Sequence, residues 1–306
     1  MLFIISLISF IAINLAPNSF FASGELNPNI TPEAIEELKK IYGLDKPLYI
    51  QFFSWIYSIL QLDFGISFTS GEKVKEEILS RIPITLTINI VSIILIFIIS
   101  LYFGIKSAMK KNSIFDRFTN QLSLLSFSMP SFYLALVLVL VFSIKFELFP
   151  IAGLHSVPND GSLNYYLDFA WHLTLPIFII FFGGIGSLIL YIRALTIEIL
   201  KSDYIFFARA RGLDNKKILR YYILPNLYPP VITLLGLSLP GVIGGSVILE
   251  TIFSIDGMGL LFYQSALSHD YPVIMGILII GAFLTLIGNM FADLILLKLN
   301  PNYNEK

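Results

Sequence analysis

Long apolar runs separated by short polar ones set the pattern of this chain. Five windows, 84–105, 122–144, 173–192, 227–249 and 273–292, contain no Asp, Glu, His, Lys or Arg. A helix crossing a hydrocarbon core of roughly 30 Å needs about 20 largely apolar residues, so each window predicts a transmembrane helix. The run 2–16 is a sixth candidate, although as a helix it would rise only about 22 Å. An apolar run of that length also fits the h-region of a signal peptide, but the positive n-region is missing. A first helix shortened by a start placed too late is the preferred reading.

The polar segments between the windows predict the orientation, because Lys and Arg are retained on the cytoplasmic side. Residues 106–121 hold four basic groups and one acid, and residues 193–226 hold seven and three. By contrast 145–172 hold one basic group and three acids, and 250–272 hold none and three. Alternation of this kind fits six spans with both termini in the cytoplasm. Residues 17–83 carry six basic groups and nine acids, and a loop that long escapes the rule. Within it "TPEAIEELKKIYG" predicts a surface helix, with Thr31 as N-cap, Pro32 at the first helical position and Gly43 as terminator.

Composition agrees with this pattern. The 306 residues are 56% hydrophobic and 13% charged, with a mean hydropathy of +0.80, whereas soluble domains are about a quarter charged. The fold class expected is an all-α polytopic membrane protein of about six transmembrane helices. A net charge of −1 provides no general attraction to nucleic acid, and the absence of Cys excludes disulfides, thiolate metal sites and a cysteine nucleophile. Carriers driven by ion gradients generally hold Asp, Glu or His within the membrane; here Glu250 and Asp293 lie just outside their windows, so a proton relay has room only at the edges and a gradient-driven carrier stands as the alternative of a different class. His155, His172 and His269 also fall outside the windows, where solvated or interfacial roles are expected rather than metal ligation. No H-E-x-x-H pair, G-x-S-x-G elbow or phosphate-binding G-x-x-x-x-G-K-[ST] loop is present, so no catalytic or metal-binding residues are assigned. If ATP drives this protein, another chain binds it.

The basic segment between the fourth and fifth windows has its own pattern. Ser202 and Asp203 can cap a helix running to Arg211, and Gly212 can take the positive φ that ends it. Asp214 then caps a second helix, "NKKILRYYIL", stopped by Pro225. Ile218, Tyr221, Tyr222 and Leu224 gather its apolar surface, while Lys216, Lys217 and Arg220 stay polar. A loop lying on anionic membrane lipid needs only these charges. The small pair Ala208 and Ala210 before the glycine suits instead a helix pair docked into a groove of a partner protein. In the fifth window, Pro229, Pro230 and Pro240 interrupt backbone hydrogen bonding, and glycines let the span deform.

The segment "ARARGLDNKKILRYYILPN" resembles the EAA loop of ABC importer permeases, E-A-A-x3-G-x9-I-x-L-P, with Ala208, Gly212, Leu224 and Pro225 on matching positions. Phe206, Phe207 and Tyr222 depart from that pattern. Over nearly the whole chain the resemblance sharpens towards the peptide/nickel group of these permeases. "GLDKPLYIQF" and "LDFGISFTSGEKVKEEILSRIPITL" resemble its outer loop, "SFSMPSFYLALVLVL" its third span, and "ETIFSIDGMG" with "DYPVIMG" its last outer loop. Asp256 stands where that group usually has proline.

The resemblance implies a type I importer permease fold with a first helix at 1–16, an extracytoplasmic loop at 17–83, a core at 84–297 and a cytoplasmic tail at 298–306. It implies residence in a bacterial or archaeal inner membrane. It further implies a coupling loop at 202–226 carrying Asp203, Ala208, Ala210, Gly212, Leu224 and Pro225, and gate or docking roles for Glu250, Gly257 and Gly259. The partners implied are a second homologous permease, two ATP-binding subunits that hold ATP and Mg, and an external substrate-binding protein. The chain itself would bind no cofactor, and the cargo expected is short peptides, with nickel as the alternative.

Overall fold

A computed structural model describes residues 6, 7, 10, 11, 46–244 and 246–299. Of the first apolar run, 2–16, only these four residues are covered; the surface helix expected at 31–43 lies outside the described residues, as do 300–306. Phe10 packs on Phe52 and Trp55 of α1 (Leu48–Leu60), with ring centroids 5.3 and 6.1 Å apart.

The described core is helical. α2 (Val74–Met109) and α5 (Leu163–Leu200) are far longer than the windows that predicted them. At 36 and 38 residues they rise about 54 and 57 Å, well beyond a bilayer core. Their polar ends therefore continue as helix outside the lipid. Ser92 Oγ, which donates to the Ile88 carbonyl at 2.7 Å, lies 3.5 Å from the Ile177 carbonyl, and Ser100 Oγ donates to the Ile185 carbonyl at 3.4 Å, so the two helices run parallel. Serine at such contacts lets backbones approach while bonding across the interface. Because α2 and α5 are parallel, the chain between them must cross back once.

That return crossing corrects the expectation of one unbroken helix over 122–144. α3 (Ile114–Ser128) and α4 (Ser131–Leu138, continued by π-helical turns over Val139–Lys145) meet at a 99° bend. Pro130 causes it: the residue before a proline is pushed out of the α region, and Met129 sits at φ −86°, ψ 120°.

The basic segment follows α5 as α6 (Asp203–Ala210), α7 (Asn215–Ile218), a π-helical turn (Leu219–Ile223) and α8 (Leu224–Gly244). Pro225 does not stop the second helix, contrary to the sequence reading. The wide turn before it closes i to i+5, with Leu224 N–H bonding the Leu219 carbonyl, and the chain passes into α8 without a break. The fifth window, read as one span over 227–249, is likewise divided: α8 ends at Gly244, and α9 (Val247–Ile252) starts after Ser246, whose Oγ accepts from Leu249 N–H at 3.3 Å. α8 runs helically past Pro229 and Pro230, so these prolines do not break it. α10 (Met258–Leu267) and α11 (Tyr271–Leu299) complete the core.

Two of the apolar cores among the described residues occupy opposite ends of the bundle. One gathers Ile88, Leu175, Ile179, Leu249, Phe253 and Ile255 near α9. The other gathers Ile105, Leu188, Ile192, Ile205, Ile218 and Ile223, and so reaches into the basic segment.

Candidate functional site

The basic insert is amphipathic, and its sides are now fixed. Ile205, Ile218, Ile223 and Leu227 are buried in a cluster with Ile105 of α2 and Leu188 and Ile192 of α5, and Ala208 is buried as well. Ile218 and Ile223 are five residues apart, the spacing that a π turn brings to one side. That register moves Tyr221 outward, 63% exposed, correcting its expected place on the packed side. Phe206 and Phe207, 69% and 64% exposed, face out with Arg209, Arg211, Lys216 and Lys217. The insert thus has a seated apolar underside and a free surface of aromatic and cationic groups.

Its two short helices are joined by backbone and ring contacts. Gly212 takes φ +79°, in the left-handed region, and donates to the Arg209 carbonyl at 2.9 Å while Leu213 N–H reaches the Ala208 carbonyl at 3.2 Å. Asp214 caps α7 by accepting from Lys217 N–H at 3.0 Å. Ser202 occupies the N-cap position of α6, but its Oγ donates to the Ile199 carbonyl at 2.6 Å, so the expected side-chain cap is absent. Asp203 lies exposed in the first turn, where its charge favours the helix dipole. The rings of Tyr204 and Tyr222 stack across the hinge, centroids 6.3 Å apart at 13°. Tyr222, a departure from the EAA pattern, thus helps bind one half of the insert to the other. Of the two alanines, Ala208 is packed beneath and Ala210 is exposed; Leu224 is half-buried and Pro225 exposed.

A cluster that sequence reasoning missed anchors the root of the insert. Arg193, late in α5, makes a bidentate pair with Asp116 of α3, at 2.7 Å from Nε and 2.9 Å from Nη2. Asp116 also accepts from Ser107 Oγ of α2, Asn112 N–H and Asn120 Nδ2. The planar guanidinium and carboxylate match this geometry. Three helices are thereby pinned beside the point where α5 gives way to the insert. The residues are 77 apart in sequence, and nothing in the local pattern of either segment pairs them.

At the opposite end the structure brings Glu250, Gly257 and Gly259 together. Glu250 is 3% exposed, and its Oε2 accepts from Gly259 N–H at 2.7 Å and Leu260 N–H at 3.0 Å. Its Oε1 accepts from Thr85 Oγ1 of α2 at 3.1 Å, and that hydroxyl accepts from Met258 N–H at 2.9 Å. The first amides of a helix have no partner within it. Here α2 and α9 supply partners for three of them at the start of α10, and the carboxylate sits at the positive end of its dipole. A Cβ on Gly257 would lie 2.5 Å from Glu250 Oε2 and 2.7 Å from Thr85 Oγ1, so only glycine leaves room for the knot. A Cβ on Gly259 would meet Val247 N at 2.8 Å.

The neighbouring loop is bonded in as well. Asp256, in place of the usual proline, pairs with Arg81 Nε at 2.7 Å. Buried Asp270 accepts from Ser67 Oγ at 2.5 Å and Thr69 N–H at 3.0 Å, docking the 63–73 turn onto the start of α11. His172 corrects the solvated reading given to the histidines. It lies within α5, 5% exposed, with Nε2 3.2 Å from Ser156 Oγ and Nδ1 2.8 Å from the Asp168 carbonyl. His155 stacks on Tyr165 at 3.9 Å. Among the described residues no group of three His, Cys, Asp or Glu is placed to hold a metal ion. Asp293 is exposed on α11.

Comparison with known proteins identifies this architecture. The binding-protein-dependent transport system inner membrane component family matches residues 100–305, and the N-terminal family of the same membrane components matches residues 1–89. The oligopeptide transport system permease protein AppB of Bacillus subtilis is 35% identical, over 97% of this chain and 93% of its own. The dipeptide transport system permease protein DppB of Lactococcus lactis is 32% identical, over 98% and 94%. The metal-staphylopine import system permease protein CntB of Staphylococcus aureus is 31% identical, over 91% and 85%. Among solved structures, an inward-facing form of the MetNI methionine ABC transporter shares the fold with a TM-score of 0.58 at 17% identity, over 73% of this chain and 96% of that one. The chain therefore belongs to the binding-protein-dependent transport system inner membrane components, the non-enzymatic, multi-pass permease subunits of ABC importers.

Proposed function

We propose that this permease forms half of the translocation path of an ATP-driven importer of short peptides. A second homologous permease completes the path, an external binding protein delivers the cargo, and two subunits holding ATP and Mg drive it from the cytoplasm. The insert over 202–226 lies on the cytoplasmic side in this reading and receives the force. One observation carries it: the insert is seated on α2 and α5 by buried Ile205, Ile218 and Ile223 while its aromatic and cationic groups are left outside. A loop serving only to lie on lipid does not need a rigid seat. A lever does, because a push on its free surface must reach α5 and α8 without being absorbed at the joint. ATP-driven closure of the attached subunits would then swing the spans from inward-open to outward-open as one two-state element.

Peptide cargo is favoured by the AppB and DppB relatives, and the CntB relative keeps a metal complex as the second reading. Purification of the full chain from native membranes tests the assembly. ATP-binding subunits and a second permease should co-elute, with ATP hydrolysis stimulated by the loaded binding protein, whose ligand mass spectrometry then identifies. Peptide uptake by vesicles holding this chain alone would refute the proposal. Gly212→Pro tests the lever: proline fixes φ near −65°, where the native backbone needs +79°. Insertion into the membrane should persist, while uptake and the stimulated ATP hydrolysis are lost together.

A further inference from the structure

The two interruptions in the spans open onto one cleft. The bend at Met129–Pro130 and the gap between α8 and α9 at Ser246 both line a cavity of about 420 Å³, with Asn89, Ser126, Ser131 and Gly183 among its other walls. A narrower pocket leads from Asn89 and Ser246 to the Glu250 knot. Every wall of the cleft falls within the apolar windows 84–105, 122–144, 173–192 and 227–249, hence at membrane depth. Its volume is that of a ligand site, which typically spans about 300–1,000 Å³.

Irregular backbone at membrane depth is tolerated only where protein buries it or water fills the space beside it. Here Ser131 and Gly183 are exposed in the isolated chain. Lipid cannot bond the hydroxyls and broken backbone that face the opening. Water in a space closed off by another subunit would bond them. The lining is also chemically selective in what it omits. Among the described residues no ionisable side chain borders the cleft, so they give no strong hold on a charged terminus or a metal ion. Its open polar groups are hydroxyls: Ser131 is exposed, and Ser246 Oγ accepts from Leu249 N–H and keeps a hydrogen to donate, whereas Asn89 and Ser126 are buried and already donate to the Thr85 and Phe182 carbonyls. Such groups match the amides that every peptide carries, whatever its side chains. Weak, uncharged contacts also suit a path whose occupant must leave as well as enter.

We propose that this cleft is a wall of the translocation path and that its neutral polar groups receive the main chain of the passing peptide. The proposal rests on the importer reading above and adds the surface along which cargo moves. The absence of cysteine makes the test clean. Ser131→Cys and Gly183→Cys place single thiols in the cleft, and nothing lies within 4 Å of a Cβ added at Gly183. Leu140→Cys, at an exposed apolar position within the same window as Ser131 that does not line the cleft, is the control outside it. Each variant is expressed with the whole transporter and exposed to a permanently charged, membrane-impermeant methanethiosulfonate, with labelling read on this chain's mass.

The two cleft thiols should react roughly tenfold faster than the control or more, since a charged reagent does not enter hydrocarbon. Their modification should block peptide uptake. Reaction as slow as that of Leu140→Cys at both positions would overturn the proposal, as would full labelling without loss of uptake. Labelling rates require no cargo and judge the cleft alone. Failure of the unmodified transporter to take up any peptide would instead count against the importer reading.

Discussion

The two ends of this bundle hold their polar groups in opposite ways. At the Glu250 end the carboxylate, the Thr85 hydroxyl and the amides of Met258, Gly259 and Leu260 are spent on one another inside a knot that glycine alone leaves room for. In the insert the buried underside is apolar, and nearly all charge, with four exposed aromatic rings, is turned outward. A region whose polar groups bond internally resists deformation, whereas one that faces them outward can bind and be pushed. A buried carboxylate need not be a free ligand group. Glu250 serves here as the remote cap of α10, holding α2, α9 and α10 in register.

The strongest way to break this contrast is to remove the knot's acceptor. Glu250→Leu strands two helix-start amides and the Thr85 hydroxyl in a buried site, at a cost on the order of 3 kcal/mol. The melting temperature of the detergent-purified chain should drop sharply, with no change in which subunits bind the insert. Gly257→Ala comes next. Its φ of −110° suits any residue, so the penalty arises wholly from crowding of Glu250 and Thr85, about 2 kcal/mol in thermal unfolding. Gly212→Ala reverses the cause: nothing lies within 4 Å of the added Cβ, and the left-handed backbone alone costs about 1 kcal/mol. The same change of side chain thus distinguishes a tight contact from a tight turn. Gly257→Ala should lower stability more than coupling, and Gly212→Ala coupling more than stability, in parallel measurements of melting and of ATP-driven uptake.

The sequence pattern carried the parts of the architecture that depend on short stretches. Apolar runs located the spans, Lys and Arg marked the insert, and the Gly212 and Asp214 positions showed where its helices would end and begin. Pairings across the bundle were not legible, because Asp116 and Arg193 meet only once three helices have packed. The breaks at Met129–Pro130 and Ser246 were hidden for a different reason. Proline and glycine occur within membrane helices when neighbours satisfy the freed backbone, so a run such as 122–144 fits a bent pair as well as a straight helix. The π turn at Leu219–Ile223 escaped because the 3.6-residue period assumes regular winding, and that one irregularity moved Tyr221 from the packed side to the free one.

The smallest expected effect lies at the rim of the knot and tests how far its rigidity extends. Arg81 and Asp256 meet at 2.7 Å, yet the Asp256 side chain is 59% exposed. An ion pair in that setting gains little over solvent, typically well under about 1 kcal/mol, and weakens as salt screens it. Arg81 also donates to the Glu77 carbonyl at 3.0 Å, so Arg81→Ala removes a backbone bond along with the pair. A double-mutant cycle of Arg81→Ala and Asp256→Asn separates the two contributions. The coupling term should come to about 0.5 kcal/mol at low salt and vanish towards about 1 M salt, while the Glu250→Leu penalty stays unchanged because its partners are buried from ions. A coupling term that survived high salt would place Asp256 inside the knot, and the internally bonded region would then extend from α10 to the start of α2.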